Sequence, residues 1–136
     1  MADTNVLVSA VLQPAGAPGC ILRAWRDGEI ELVVCPALLR ELGDVLARPR
    51  LQSRLIAGEA RALVALIREQ AELRADPVVE PGLTRDPNDD FIVALAQRTQ
   101  AGCIVSGDRD LLGQVDLRPP VLSPARFCDL LARGDL

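Results

Sequence analysis

The chain has 136 residues, 49% of them apolar, and a formal net charge of −4. This length suits one domain with a real core, so residues 1–136 are predicted to form a single domain. Every apolar run is far shorter than the roughly 20 residues that cross a bilayer, and no basic region followed by an apolar core opens the chain. We therefore expect no membrane span and no signal peptide, and a cytoplasmic protein is the default expectation.

The residue types exclude several kinds of site. There is no histidine, and all 15 basic residues are arginines, which argues against a Cys/His zinc site and against a nucleophile activated by histidine. The four cysteines form no CxxC pair, so we expect small buried side chains in a reducing compartment. The negative charge argues against a nucleic-acid partner, unless many of the acids gather at one metal-loaded spot. These cysteines are Cys20, Cys35, Cys103 and Cys128.

In the first half of the chain, strand and helix patterns alternate. A short first strand is expected to give way to a helix at Asp3 in "MADTNVLVSA". "GAPGCILRAWRDGEI" predicts a helix that stops at Gly28, and "EIELVVC" turns continuously apolar, as a buried strand does. "CPALLRELGDVLARP" predicts the next helix, with Pro36 in its first turn and Pro49 at its end.

The second half continues this alternation. "EARALVALIREQAEL" predicts an amphipathic helix, "DDFIVALAQRTQ" another helix and "GCIVS" a short buried strand. "GDRDLLGQ" predicts a helical turn, "PPVL" an edge strand and "SPARFCDLLAR" a closing helix. Strands that alternate with helices indicate an α/β fold, with a mostly parallel sheet covered by helices on both faces. In such sheets the ligand crevice lies at the carboxyl ends of the strands.

Four acidic positions fall where this architecture places a ligand. Asp3 and Asp108 follow predicted strands, Asp89 opens a helix, and Glu41 lies at the margin of an apolar helical arc. Each alone can be a helix cap or a solvated side chain. Together, carboxylates in one crevice repel each other unless a cation or a proton compensates them. Oxygen-only ligands suit Mg²⁺ or Mn²⁺, so the set predicts a metal site of the kind that hydrolyses phosphodiesters.

The stretch "TRDPNDDFIVALA" crowds three carboxylates into five residues. Asp86 precedes Pro87, which restricts it to extended or turn geometry, so we expect it to shape the loop or to act as an outer acceptor. Asp89 can then point inward from the helix start while the adjacent Asp90 points elsewhere. The run is thus interpreted as one ligand, one loop-forming residue and one helix-end charge.

"DTNVLVSA", "ELGDVLARPRL", "RDPNDDFIVALA" and "IVSGDRDLL" occur in an order and spacing that resemble the PIN domain family. The resemblance is to the VapC-like branch described as toxins of toxin–antitoxin systems, and "VLSPARFCDLL" is similar to that branch's ending. It implies a three-layer α/β/α sandwich with a mostly parallel central sheet. It also implies a Mg²⁺- or Mn²⁺-dependent endoribonuclease, in which an activated water attacks the RNA phosphate.

The resemblance assigns roles residue by residue. The catalytic, metal-binding acids would be the four carboxylates already described. Polar residues beside them would support the acids by hydrogen bonding, and arginines that flank the site would reach RNA phosphates or, equally well, form surface salt bridges. The acids are Asp3, Glu41, Asp89 and Asp108; the supporting residues are Asn5, Ser106, Asp86 and Asp90; the arginines are Arg48, Arg85 and Arg109.

Partners also follow from the resemblance. Toxins of this branch are usually neutralised by a small cognate antitoxin protein that covers the acidic crevice, and many PIN domains form homodimers. The RNA substrate is not identified by the sequence. The aromatic residues are Trp25, Phe91 and Phe127, so recognition would depend on phosphates and shape more than on base stacking.

The start of the chain departs from the family pattern, and two other functions stay open. Only Met1 and Ala2 precede Asp3, whereas family members usually begin with several apolar residues that form a central strand. We therefore expect an N-terminus that is incomplete or compensated by a partner. One alternative function is a catalytically weak PIN-fold interaction module with Asp3 misplaced. The other is an aspartyl phosphoryl-transfer domain, against which the absence of lysine argues.

Overall fold

The computed structural model describes residues 1–79, 82 and 87–136, without the side chains of residues 87 and 88. Helices dominate this part of the chain, and short strands separate some of them. In chain order the elements are α1 Thr4–Leu12, α2 Ala17–Arg26, β1 Val33–Val34, α3 Pro36–Leu46, α4 Pro49–Gln52, α5 Glu59–Gln70, β2 Glu72–Leu73, α6 Pro87–Arg98, β3 Ile104–Val105, α7 Arg109–Leu112, β4 Val121–Leu122 and α8 Pro124–Arg133.

Local chemistry explains most helix boundaries. Asp3 caps α1 by accepting the Val6 N–H, and Ser123 caps α8 by accepting the Arg126 N–H. Proline occupies the first turn of α2, α3, α4 and α8, where its missing N–H costs no hydrogen bond. Gly28, with a φ of 76°, follows the end of α2 in the left-handed conformation that glycine adopts freely.

The sheet is the main departure from the predicted architecture. The described strands form two parallel pairs, β1 with β2 and β3 with β4, and a single parallel bridge joins Ala2 to Val105. Strand direction therefore agrees with the prediction, but the described residues form no continuous central sheet and show no three-layer sandwich. Each strand has only two residues. Among the described residues, only Met1 to Asp3 pair with β3 on the side away from β4.

Two elements were not predicted from the sequence. The predicted helix "EARALVALIREQAEL" ends at Gln70, because Glu72 turns away and donates its N–H to the Leu32 carbonyl as part of β2. The predicted strand "EIELVVC" pairs only over Val33–Val34. The short helix α4 follows Arg48, where the sequence indicated only an end to α3.

One apolar core spans the helices and strands. α1 packs on α2 and α3, α2 packs on α8, and α3 packs on α5. Completely buried side chains such as Leu7 on α1, Leu42 on α3 and Ile67 on α5 each contribute about 1.5–3 kcal/mol by leaving water. This packing fixes α1 relative to α3.

The cysteines agree only in part with the expectation of buried side chains. All four are free thiols; Cys35 is buried, but Cys20, Cys103 and Cys128 are half-buried.

Within the described residues, no single helix is long and apolar enough to cross a membrane. The bent pair α1 and α2, which meet at 94°, passes the same test of length and composition when taken together.

Candidate active site

Four carboxylates line one cleft of about 650 Å³ at the carboxyl ends of β1 and β3. Each comes from a different element: the N-cap of α1, the middle of α3, the first turn of α6 and the N-cap of α7. Apolar side chains of α3 and α6 form part of the same wall. The four residues are Asp3, Glu41, Asp89 and Asp108, the set that the sequence analysis singled out.

Asp3 is held at three atoms. Its backbone N–H donates to the Val105 carbonyl at 3.0 Å, its Oδ1 accepts the Val6 N–H at 2.9 Å, and its Oδ2 accepts the Ser106 hydroxyl at 2.5 Å. Burial raises the pKa of Asp3 above its ordinary value. The hydrogen bonds from Ser106 and Val6 oppose that shift, while the negative charges of Asp108 and Glu41 add to it.

Ser106 joins two of the acids. It is completely buried, its hydroxyl donates to Asp3, and its oxygen accepts the Asp108 N–H at 3.1 Å. Asp108 is exposed, and its Oδ1 accepts the Asp110 N–H at 2.8 Å, which caps α7. Ser106 is thus hydrogen-bonded both to the Asp3 carboxylate and to the Asp108 backbone.

Thr4 is a site residue that the sequence analysis did not single out. Its buried hydroxyl donates to Glu41 Oε2 at 2.9 Å and thereby ties α3 to the start of α1. The sequence signal is a hydroxyl between Asp3 and Asn5 at the start of an otherwise apolar helix. Asn5 itself is exposed and also lines the cleft.

The neighbouring acids Asp89 and Asp90 lie in different surroundings. Asp89 is half-buried and lines the cleft. Asp90 is only 2% exposed, and its Oδ2 accepts the Gly82 N–H at 3.3 Å, so it contacts the chain ahead of α6. Asp89 therefore lies on the cleft side of α6, whereas Asp90 is the more deeply buried of the two acids.

Two of the predicted arginines do not line the cleft. Arg48 at the N-cap of α4 and Arg109 in α7 are exposed and do not line it. Arg85 and Asp86 lie outside the described residues.

The cleft fits a divalent cation in its donor chemistry more closely than in its spacing. Among residues 1–79, 82 and 89–136, no group of three or more acid or thiol side chains is close enough to hold a metal ion. All four cleft acids are nonetheless hard oxygen donors, and Mg²⁺ is usually held by one or two carboxylates together with several waters. The pKa of Asp3 is raised mainly by burial and to a smaller extent by the negative charges of Asp108 and Glu41, which such a cation would compensate.

Comparison with known proteins identifies the family. Residues 1–110, which include all four cleft acids, match the family described as PIN domain. The chain belongs to the PIN domain family. It is also 30% identical over 115 residues, covering 84% of this chain and 73% of the relative, to the "Uncharacterized protein MJ1680" of Methanocaldococcus jannaschii. No solved structure gives a significant match.

Membership of the PIN domain family sets the class of fold and activity. It implies an α/β fold, with which the helices and short parallel strands agree. PIN domains are generally nucleases and typically use divalent metal ions, so the family indicates a nuclease-type function. The name of the archaeal relative carries no function and does not identify a toxin branch.

Proposed function

We propose that this PIN domain is a Mg²⁺- or Mn²⁺-dependent endoribonuclease and the toxin of a type II toxin–antitoxin system. The observation that carries the nuclease proposal is the placement of Asp3, Glu41, Asp89 and Asp108 on one cleft from four separate elements. Carboxylates that serve only as helix caps need not lie in the same cleft, whereas carboxylates that bind one cation must lie close together.

The chain's own residues prepare this cleft. Ser106 fixes the Asp3 carboxylate and the backbone of Asp108 together, and Thr4 fixes Glu41 against the start of α1. These hydrogen bonds hold the carboxylates in place before substrate arrives, so little reorganisation is needed during reaction. A divalent cation bound there would lower the pKa of a water and stabilise charge on a phosphoryl oxygen.

RNA would be held mainly through its phosphates. Arg109 follows Asp108 directly, and Arg48 lies two residues beyond the end of α3; both side chains are exposed. With few aromatic residues in the chain, stacking on bases contributes little to this proposal. Cleavage should therefore fall steeply as salt concentration rises, and a flat response to salt would contradict phosphate-led binding.

The first experiment is cleavage of a pool of structured and unstructured RNAs with Mn²⁺, Mg²⁺ or EDTA. We expect cleavage that needs the metal and that Asp108→Asn abolishes. Asp110→Asn is the matched control, because Asp110 is an exposed acid on the same short helix that does not line the cleft. Equal activity of the two variants, or cleavage in EDTA, would refute the proposed site.

The toxin role and the partners are proposed from the resemblance of the motifs. Residues 1–136 would act as a single domain on cytoplasmic RNA, as a homodimer, and a small cognate antitoxin would cover the cleft. Induced expression should arrest bacterial growth, and Asp108→Asn should relieve the arrest. Sedimentation of the purified chain tests the dimer, and normal growth with wild-type protein would refute the toxin role.

A second candidate is a PIN-fold interaction module with weak or no catalysis. It is favoured by the absence, within the described residues, of three acids close enough to hold a metal together. Calorimetry with Mn²⁺ separates the two candidates: a nuclease should bind Mn²⁺ and lose the binding in Asp108→Asn, whereas an inert module should not bind it in the cleft.

A further inference from the structure

Two cysteines that lie far apart along the chain meet where α2 packs on α8. Cys20 is in the first half of α2, and Cys128 is in the middle of α8. Both side chains are half-buried, so small reagents can still reach them. Neither cysteine lines the acidic cleft, and the proposed nuclease uses neither of them.

A hydrogen bond fixes the position of the Cys128 sulfur against α2. The Cys128 thiol donates to the Ala17 carbonyl at 3.2 Å. Carbonyl groups of an α-helix point toward its C-terminus, so the Ala17 oxygen lies beside the turn that contains Cys20. Side chains of a helix lean toward its N-terminus, so the Cys20 side chain leans back toward Ala17 on the same face. The two sulfur atoms therefore occupy the same small region between the helices.

The residues at this contact are small enough for a covalent bridge. A disulfide needs Cα atoms within about 7 Å of each other, which two helices reach only where their facing side chains are short. Ala17 and Cys20 are both short, and the Cys128 sulfur reaches the backbone of α2 itself. The helices thus approach closely at the place where the thiols lie.

The charge properties of Cys128 agree with this contact. Its pKa is raised to about 12, first by burial and then by the hydrogen bond and the negative charge of Cys20, while Arg23 opposes the shift. A thiol that acts through both a hydrogen bond and its charge must be an immediate neighbour. Cys128 therefore keeps its proton at neutral pH and lies directly beside Cys20.

The other two cysteines have different neighbours. The Cys35 thiol interacts with the carboxylate of Asp76, and the Cys103 thiol interacts with the Met1 amino group. All four cysteines belong to the part of the chain that the structure describes. Within it, Cys20 and Cys128 are the thiols that face each other.

We propose that Cys20 and Cys128 form a reversible redox site, which peroxides oxidise to a disulfide between α2 and α8. The structure, in which both thiols are free, is the reduced form. The bridge would close a loop that spans most of the chain and would tie the last helix to α2. It lies away from the cleft, so it acts on the stability of the fold.

The oxidation proceeds in two balanced steps. Because Cys128 keeps its proton, Cys20 is the thiol that ionises and attacks. Its thiolate bonds to one oxygen of hydrogen peroxide, the O–O bond breaks, and the departing hydroxide takes up the proton that Cys20 lost. The Cys128 sulfur then attacks the resulting sulfenic acid, an S–S bond forms, and the sulfenic oxygen leaves as water with the Cys128 proton. Two thiols thus lose two electrons, and one hydrogen peroxide becomes two waters.

The test oxidises the reduced, folded, full-length chain with hydrogen peroxide, blocks the remaining thiols by alkylation and digests the protein with trypsin without reductant. Each cysteine falls in a different tryptic peptide, so the peptide masses identify the pairing. We expect a species that joins residues 1–23 to residues 127–133. Tm should rise by at least about 5 °C over the reduced chain, because the bridge closes a long loop, and dithiothreitol should reverse the rise.

Matched serine variants sharpen this test. Cys128→Ser should lose both the joined peptide and the rise in Tm, whereas Cys103→Ser, at another half-buried cysteine, should keep both. If Cys128→Ser does not fold, the peptide map of the wild-type chain decides. A main product with another pairing, with a bridge between two chains or with Cys20 as sulfinic acid would overturn the proposal. So would a folded chain without the bridge at a peroxide dose that oxidises the same chain in urea.

Discussion

The two ends of the ladder between Met1–Asp3 and Cys103–Val105 differ in what completes them. At the cleft end, three hydrogen bonds fix Asp3, and polar side chains from α1, α3 and α7 surround it. At the other end, the Met1 amino group donates one hydrogen bond to the Cys103 carbonyl and lies beside a mainly apolar cavity. The same backbone pairing thus has polar side chains at one end and mainly apolar surroundings at the other.

Each end also carries a charge that its surroundings oppose, and the two charges have opposite sign. Burial raises the pKa of the Asp3 carboxyl, so its negative form is disfavoured. Burial lowers the pKa of the Met1 amino group, so its positive form is disfavoured, although the Cys103 thiol partly opposes that shift. The two ends of this short ladder therefore disfavour charges of opposite sign, mainly because both groups are buried.

The largest effect is expected from Asp3→Asn. RNA cleavage should fall at least about 100-fold, because the amide cannot supply negative charge to a cation. In EDTA, however, the variant should be at least as stable as the wild type at neutral pH. Asparagine can still cap α1 and accept the Ser106 hydroxyl, and it removes a buried charge. Denaturant unfolding and cleavage assays measure both effects.

The pH dependence of the free energy of unfolding provides a check on the Asp3→Asn prediction. The Asp3 pKa in the folded chain lies above its ordinary value of 3.8, so the folded state binds the proton more tightly than the unfolded state. The Asp3 contribution to stability in EDTA is therefore lost as pH rises from about 4 through the folded-state pKa. Asp44→Asn, at an exposed acid of α3 outside the cleft, should change neither property. A destabilised Asp3→Asn protein would contradict the uncompensated charge.

The next largest effect is expected from Ser106→Ala. Removal of the hydroxyl leaves Asp3 and the Asp108 backbone without their shared partner, and cleavage should fall about 10- to 100-fold. Stability should fall by about 1 kcal/mol. Ser123→Ala removes the cap of α8 far from the cleft and should cost about the same stability with cleavage unchanged. Similar losses of cleavage in both variants would reduce the role of Ser106 to folding.

A smaller effect is expected from Thr4→Val, which keeps the shape of the buried side chain and removes its hydrogen bond to Glu41. Glu41 is exposed, so its carboxylate would become mobile without leaving the cleft, and cleavage should fall about 3- to 10-fold. Mn²⁺ affinity should weaken by a similar factor in calorimetry. Unchanged affinity and cleavage would show that Glu41 needs no support from Thr4.

The smallest effect concerns the thiols at the two ends. Burial raises the pKa of Cys35, at the start of α3 near the cleft, to about 11, and burial also raises the pKa of Cys103, which immediately precedes β3. Only the thiolate reacts with iodoacetamide. Alkylation of both should be slow at pH 7 and rise about tenfold per pH unit to pH 9. A plateau in that range would contradict the raised values, and the chain unfolded in urea is the reference.

The sequence by itself determined the class of the site and most of the helices. Asp3, Asp89 and Asp108 stand at boundaries that local chemistry marks, since caps and prolines act over a few residues. Seven of the helical segments follow from apolar periodicity and these caps, whereas α4 does not. The absence of histidine made carboxylate oxygens the predicted metal ligands, and the absence of lysine argued against an aspartyl phosphoryl-transfer domain.

Only the tertiary structure decided which distant groups meet. The pairing of Glu72 with Leu32, the Thr4 hydrogen bond to Glu41 and the Ser106 hydrogen bond to Asp3 join residues 37 to 103 positions apart along the chain. No local pattern encodes such contacts, because they depend on how α1, α3 and β3 pack around a shared core. The presence of two separate strand pairs also depends on tertiary packing. A strand of two residues is stable only where another strand lies within hydrogen-bonding distance.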